Sequence, residues 1–498
     1  MTSPATPAGE RRPGYRELLR TPGAWRFVIP GFLARQPIAM LGIGTVLLVE
    51  HTTGSYGVAG TVTAVSGVSM ALIAPQSGKL TDRFGQGAVL VPAVLLHALT
   101  VSLLIVLALR DAPLWALFAA AIPAGATTPP ISPMVRARWS SSLDGSSPLT
   151  TTAAAFESVT DEFTFIVGPV LTTALCTTVH PAAGLVAEAL LILGGGLFFA
   201  AQRSTQPPRA RGQNTGNAKS KANIRRDSAA RTRTDSATRP DGGGRSGSAT
   251  YTDGSLDRPL DGRDAADSAP EGAAPQAEPA TARTDDGERS ALAVPGVRVL
   301  IPALLGIGSV FGGMQVSIAA VTQFAGRPEL NGVLYGIFAT GNTLAAVAVG
   351  TIRWRRSAQA RLLIAYPLLV LATVTLATAA QLTPWLTLLG ALGLVAGLSV
   401  APSMITGFTL VDLLVPAAVR TEAFTWLTGA VALGQAAGSM AAGQLTDGFG
   451  AGAGFLASAA GTGLALAALV IFRRRLAGRH GGRGSPGGVG HRAPATVD

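Results

Sequence analysis

The chain has 498 residues, of which 48% are hydrophobic and 13% charged, about half the charged share of a soluble domain. That balance excludes an ordinary soluble fold and leaves a polytopic membrane protein of all-α class. The formal net charge of +11 sits in polar segments and short loops, so it reads as charge facing the cytoplasm and not as a nucleic-acid surface. The single cysteine, Cys176, excludes a disulfide framework and a cysteine-rich metal site. The five histidines are scattered and indicate no metal.

Residues 1–24 are polar and Arg-rich (Arg11, Arg12, Arg16, Arg20), a cytoplasmic N-terminal segment without a cleavable signal. Six apolar runs follow at about 25–48, 55–76, 88–109, 113–134, 151–178 and 182–201. Each is long enough to cross a bilayer. Residues 202–292 are rich in Ser, Thr, Ala, Gly, Asp and Arg and poor in large apolar residues. Such a segment cannot offset its ordering entropy, so it is predicted to be a disordered cytoplasmic linker. Six more runs lie at about 297–324, 332–352, 361–380, 385–409, 421–445 and 452–472, and a Gly- and Arg-rich tail fills 476–498. The predicted bundles are therefore 25–201 and 293–475.

Lys and Arg set the orientation. Lys79 and Arg83 follow the second run, Arg136 and Arg138 the fourth, Arg353, Arg355, Arg356 and Arg361 the eighth, and Arg473, Arg474 and Arg475 the twelfth. The opposite loops offer only Arg110 and Arg327. Both termini are expected in the cytoplasm, with the chain a multi-pass protein of the inner or plasma membrane. The halves also resemble each other. Pro22–Pro30 has a counterpart in Pro295–Pro302 and Tyr56-Gly57 in Tyr335-Gly336, while Pro133, Asp144, Pro148 and Phe156 recur as Pro402, Asp412, Pro416 and Phe424. That order points to a six-span unit duplicated in parallel, with a binding site near the midplane between the copies.

The fifth run holds three carboxylates, Glu157, Asp161 and Glu162. Charge at membrane depth costs at least about 2.5–3.5 kcal/mol, so it marks function by default. Glu157 and Asp161 share a helix face, and Glu162 lies about 100° further round. Arg35 lies about ten residues into the first run, and Asp161 and Glu162 about ten into the fifth. The two runs point the same way, so these charges share a depth, and Arg35 is expected to pair with Asp161 or Glu162. A permanent structural pair is the alternative. Gln315 and Asn342 are further candidates for the cavity lining, as is Gln435, each with an interhelical hydrogen bond as the alternative. His97 and Glu188 are read as lipid-edge or packing residues.

The segment after the second run reads Gly78-Lys-Leu-Thr-Asp-Arg-Phe-Gly85. With twelve spans in duplicated halves, it resembles the Gly-x-Leu-x-Asp-Arg-x-Gly loop of the major facilitator superfamily. The resemblance covers both apolar blocks. It implies two pseudo-symmetric six-helix bundles, with Asp82 and Arg83 as gating residues that latch the halves in the outward-open state and Gly78 and Gly85 allowing tight turns. A look-alike, Gly443-Gln-Leu-Thr-Asp-Gly-Phe-Gly450, ends the eleventh run on the other side and lacks the Arg. It is read as a helix-ending turn. Gly168-Pro169 resembles the Gly-Pro motif of family antiporters and is expected to kink the fifth helix. The fourth run lacks the Arg typical of drug/proton antiporters, and Gly125, Pro129 and Pro130 suggest that it is broken.

The resemblance implies a transporter and not an enzyme: proton-coupled efflux of a small organic solute by alternating access, as a monomer, without cofactor or metal. The alternatives are proton-coupled uptake and a non-transporting sensor or scaffold on the same fold. No Walker loop is present, so ATP does not drive it directly.

Overall fold

The computed structural model describes residues 14–143, 147, 149–207, 290–351, 356–383, 385–416 and 419–476. Most of the predicted linker and all but the first residue of the predicted tail lie outside these, as do Arg11, Arg12, Asp144, Pro148, Arg353 and Arg355. The described spans belong to one unit; a second unit, residues 211–288, lies outside the described residues.

Among the described residues each half contributes six spans. In chain order the first half has Ala24–Arg35 continued by Pro37–Thr53, Tyr56–Phe84, Gln86–Leu109, Leu114–Ala126 continued by Ile131–Ser142, Leu149–Thr178 and Ala183–Ala201. The second half has Pro295–Phe324, Leu330–Thr351, Ala358–Leu382, Leu386–Leu414, Arg420–Phe449 and Phe455–Ile471. Eleven spans are long and apolar enough to cross a membrane. The eleventh in order, Arg420–Phe449, is not among those eleven. It is 30 residues long and packs along the second and seventh spans, which is where its Gly, Ser and Gln residues are used.

Local chemistry sets the breaks. Pro37 has no N–H to donate and its ring crowds the preceding turn, so the first span is interrupted at Gln36. Pro129 and Pro130 interrupt the fourth span, as expected, but that span then resumes as Ile131–Ser142. Arg136 and Arg138, expected in a loop, are therefore helical. Ser55 caps the second span by accepting from the Val58 N–H. That span runs to Phe84, so the predicted loop Gly78–Phe84 is its last helical turns. Only Gly85, at φ 92°, makes a left-handed turn there; Gly78 does not.

Two apolar clusters, one chiefly from each half, form the core. Leu99, Leu190, Phe198, Leu371 and Leu464 point outward and are 63–75% exposed, an apolar girdle around the outside of the bundles. The seventh and eleventh spans approach closely. A Cβ at Gly308, Gly312, Gly434 or Gly438 would collide with backbone of the other helix, the use of small residues expected where helices pack in lipid.

The halves meet along two seams, the second span against the eleventh and the fifth against the eighth. We call the face where the first span begins and the twelfth ends the terminal face, and the opposite one the far face. The second span is buried over Tyr56–Ser66, near the far face. Leu72, Ile73, Leu80 and Phe84, toward the terminal face, are exposed. In the other seam Asn331 Nδ2 donates to Thr173 Oγ1 at 3.2 Å, again near the far face. The halves are thus closed together at the far face and apart at the terminal face.

Candidate functional site: a charge cluster beside a cavity

The break in the first span leaves Arg35 as the last residue of a half-helix, where a cation complements the C-terminal dipole. Its guanidinium faces the fifth span. Nη2 donates to Glu157 Oε2 at 2.6 Å, with both side chains 2% exposed. Nη1 donates to Asp161 Oδ1 at 3.0 Å. Trp139 Nε1 donates to the other Glu157 oxygen at 2.8 Å, and the Trp139 ring is fixed edge-on against Phe27. Asp161 also accepts from Ser132 Oγ at 2.7 Å and, through Oδ2, from Arg136 Nη2 at 2.7 Å. The cluster is two guanidinium groups interleaved with two carboxylates, neutral overall, with Glu157 deep inside and Asp161 and Arg136 nearer solvent.

Pairing of Arg35 with Asp161 is therefore as expected, while Glu162 is not its partner. The second acid on Arg35 is Glu157. Glu162, on the adjoining face, accepts from Thr343 Oγ1 of the eighth span at 2.9 Å, and the Asn342 side chain reaches the same carboxylate. Glu162 and Asn342 thus join the halves at the fifth–eighth seam. Sequence reading missed Arg136, Ser132, Trp139 and Thr343. The usable signal was that Arg136, Ser132 and Trp139 recur at near-helical spacing after the double proline, which fits a resumed helix.

Arg35 lines a cavity of about 870 Å³. Its walls are mostly apolar and come from the first, second, fourth and eleventh spans, among them Ile38, Leu72, Pro75, Ile131 and Trp426. Toward the far face it narrows to a polar neck of about 70 Å³, which shares Ile38, Met70 and Ala432 with it. Thr63, Gln315 and Ser439 line the neck. Thr63 Oγ1, Gln315 Oε1 and Ser439 Oγ are buried without a hydrogen-bond partner among the described residues. Buried polar atoms are normally paired, so three together mark a place where a polar group can dock. Gln315 packs against Gly42 of the first span, and Gln435 lines the neck too.

The remaining predicted residues fall elsewhere. Asp82 and Arg83 are exposed, with no hydrogen bond or ion pair among the described residues; Arg83 lies over the Phe84 ring at 5.2 Å. Gly168 and Pro169 lie where the fifth span passes its neighbours: a Cβ on Gly168 would fall 2.7 Å from Ala39 Cβ, and the Pro169 carbonyl lies against Gly332. The fifth helix runs unbroken through Pro169. His97 and Glu188, read as lipid-edge or packing residues, are not at the lipid edge: they form a fully buried pair at 2.7 Å. Arg138, also buried, stacks on Phe199 and donates to Gln86, Thr205 and the Phe199 and Gln202 carbonyls. It ties Arg203–Thr205, the start of the predicted linker, to the first bundle.

Several solved transporters share the fold. The POT family transporter PepTSo superposes with a TM-score of 0.62 at 12% identity, covering 91% of this chain and 97% of its own. A bacterial homologue of the iron transporter ferroportin, solved in an inward-facing state, gives 0.61 at 14% identity, covering 90% and 98%. The nucleoside transporter NupG gives 0.60 at 12%, covering 91% and 99%. No curated protein matches the chain by sequence. The family model of the Major Facilitator Superfamily matches residues 29–425. Twelve spans in two six-span halves among the described residues, a buried charge cluster and a cavity open to one face accord with that match: the chain is a multi-pass secondary transporter belonging to the Major Facilitator Superfamily.

Proposed function

We propose that the protein exports a small amphipathic organic solute from the cytoplasm in exchange for protons, by alternating access. The observation that carries this reading is the Arg35–Glu157–Asp161–Arg136 cluster at the cavity edge. Two acids are shared between two guanidinium groups, so a proton can enter only where a guanidinium lets go, and protonation is linked to the contacts of Arg35. A proton on Asp161 or Glu157 weakens its hold on Arg35. The freed guanidinium is then attracted to whatever acid remains, and the first and fifth spans lose a tie across the first bundle. Glu162, bonded to Thr343, lies one residue from Asp161 on the same helix. A shift of the fifth span is therefore felt directly at the seam between the halves.

The Arg-rich terminal face is taken as cytoplasmic. The cavity opens toward it, so the solute enters from inside, with its apolar body against Ile38, Leu72 and Trp426 and its polar end at Thr63, Gln315 and Ser439. Gly168-Pro169, at the closest approach of the fifth span to the first and eighth, favours exchange over symport. Asp82 and Arg83 act as the latch of the opposite state.

The test is proton flux in proteoliposomes across a panel of amphipathic solutes. We expect solute-dependent proton movement in the native protein. Asp161→Asn and Glu157→Gln should abolish it while solute exchange continues without a gradient. Native proton flux in both variants would refute the coupling. Solute accumulation with the gradient reversed would make the protein an importer.

A further inference from the structure

The sequence Gly-x-Leu-Thr-Asp-x-Phe-Gly occurs twice, at Gly78–Gly85 and Gly443–Gly450. In both places it ends a long helix, Tyr56–Phe84 or Arg420–Phe449, with the aspartate in the last turn. A carboxylate there opposes the dipole of its own helix. The second and eleventh spans are antiparallel neighbours across the seam between the halves, so the C-terminus of each lies beside the N-terminus of the other.

At the far face this juxtaposition is closed. Asp447 Oδ1 accepts from the Tyr56 N–H at 2.9 Å. Its Oδ2 accepts from the Gly57 N–H at 2.8 Å and from Ser55 Oγ at 2.6 Å. Ser55 in turn accepts from the Val58 N–H at 3.0 Å. A helix begins with four N–H groups that have no partner in the helix. The second span satisfies the first two with a carboxylate from the other bundle and the third with its own serine. The contact requires glycine: a Cβ on Gly57 would lie 2.9 Å from Asp447 Oδ2, and one on Gly443 would strike the Tyr56 carbonyl. Glu50 lines the same recess as Asp447. At the terminal face Asp82, the matching residue, has no partner among the described residues. The eleventh span's ending is thus more than the plain helix-ending turn expected from its sequence.

We propose that Asp447 is the outer gate of this transporter: its carboxylate caps the second span from across the seam, holds the outer side shut in the inward-open state, and must let go before the protein can open outward. The two Gly-x-Leu-Thr-Asp endings then form one two-ended latch, with Asp447 engaged when the inside is open and Asp82 when the outside is open. The proposal rests on the alternating-access reading above.

The test is a pair of spin-label distances in lipid nanodiscs, in a Cys176→Ala background. Leu109→Cys with Leu382→Cys spans the far face, and Ser140→Cys with Ile471→Cys spans the terminal face. Asp447→Ala should lengthen the first distance and shorten the second, raising the ratio of outward-open to inward-open molecules about tenfold, equivalent to about 1.4 kcal/mol. Asp447→Asn keeps the volume, turns an N–H pair toward donors, and should shift the ratio the same way, less far; it also serves if the alanine variant does not fold. Gly60→Leu provides an independent wedge, because a Cβ there collides with the Ser439 carbonyl. If Gly60→Leu opens the far face while both Asp447 variants keep the native distances, the gate is refuted and alternating access stands. If no variant moves either distance, alternating access fails and the gate fails with it.

Discussion

Arg35 and Glu157 give the sharpest energetic test of the charge cluster. Both side chains are 2% exposed and 2.6 Å apart, so solvent screens them little. Removing one partner of such a buried pair costs about 3–5 kcal/mol, because the other is left buried and uncompensated. The cost should fall unequally. Arg35→Met strips Glu157 of its only cation among the described residues and leaves it the Trp139 N–H, while Asp161 retains Arg136 and Ser132. Glu157→Gln leaves Arg35 paired with Asp161 and still offers Trp139 an acceptor. We therefore expect about 3–5 kcal/mol for Arg35→Met and about 1–2 kcal/mol for Glu157→Gln. The double variant should be more stable than Arg35→Met alone by about 1–3 kcal/mol, a coupling typical of residues in contact. Denaturant titration in detergent, followed by tryptophan fluorescence, measures all four corners of the cycle. A double variant no more stable than Arg35→Met would refute the claim that Glu157 is the charge that suffers, and with it the assignment of Glu157 as the buried half of the cluster.

The other predictions test separate parts of the molecule. Arg138→Met removes a buried cation with several acceptors and an aromatic platform; it should cost about 1.5–3 kcal/mol in the same titration without altering solute affinity of the protein that remains folded. Thr343→Val deletes the donor to Glu162 across the seam. The site is partly exposed, so stability should change by no more than about 1 kcal/mol, but the open-outward population should rise in the spin-label assay. Gln315→Leu replaces an unpartnered polar atom in the neck with an apolar one and should weaken solute binding in equilibrium measurements while the protein unfolds no more easily. Deleting residues 208–288 should leave most solute flux intact; loss of flux would make that segment part of the machinery.

How much of this was legible in the residues differs from part to part. Eleven spans were readable because hydrophobic length is a local, one-dimensional property; the eleventh in order, Arg420–Phe449, falls short of that measure, and the cytoplasmic charge at both ends of the chain called for it. The breaks at Pro37 and Pro129-Pro130 follow from a missing donor and a crowding ring. The resumption of the fourth helix after its break does not, since Ile131–Ser142 carries the charges of a loop, and their partners, Asp161 for Arg136 and Gln86 for Arg138, lie on other helices. The Gly78–Gly85 motif was placed correctly along the chain but taken for a loop, because polar residues at a helix end read the same way in either state.

By itself the sequence determined that the chain is a membrane protein of duplicated six-helix halves, and led to the expectation that Arg35, Asp161 and Glu162 share a depth. Depth follows from counting, because each helical residue rises by a constant amount. Only the tertiary structure decided which way each side chain turns: Glu157 and Asp161 toward Arg35, Glu162 toward Thr343, Asp447 onto a helix start 390 residues away in the chain. Rotation and tilt are set by how helices pack against one another, through contacts such as Gly60 on Ser439 and Gly312 on Gln435, and no local pattern encodes them.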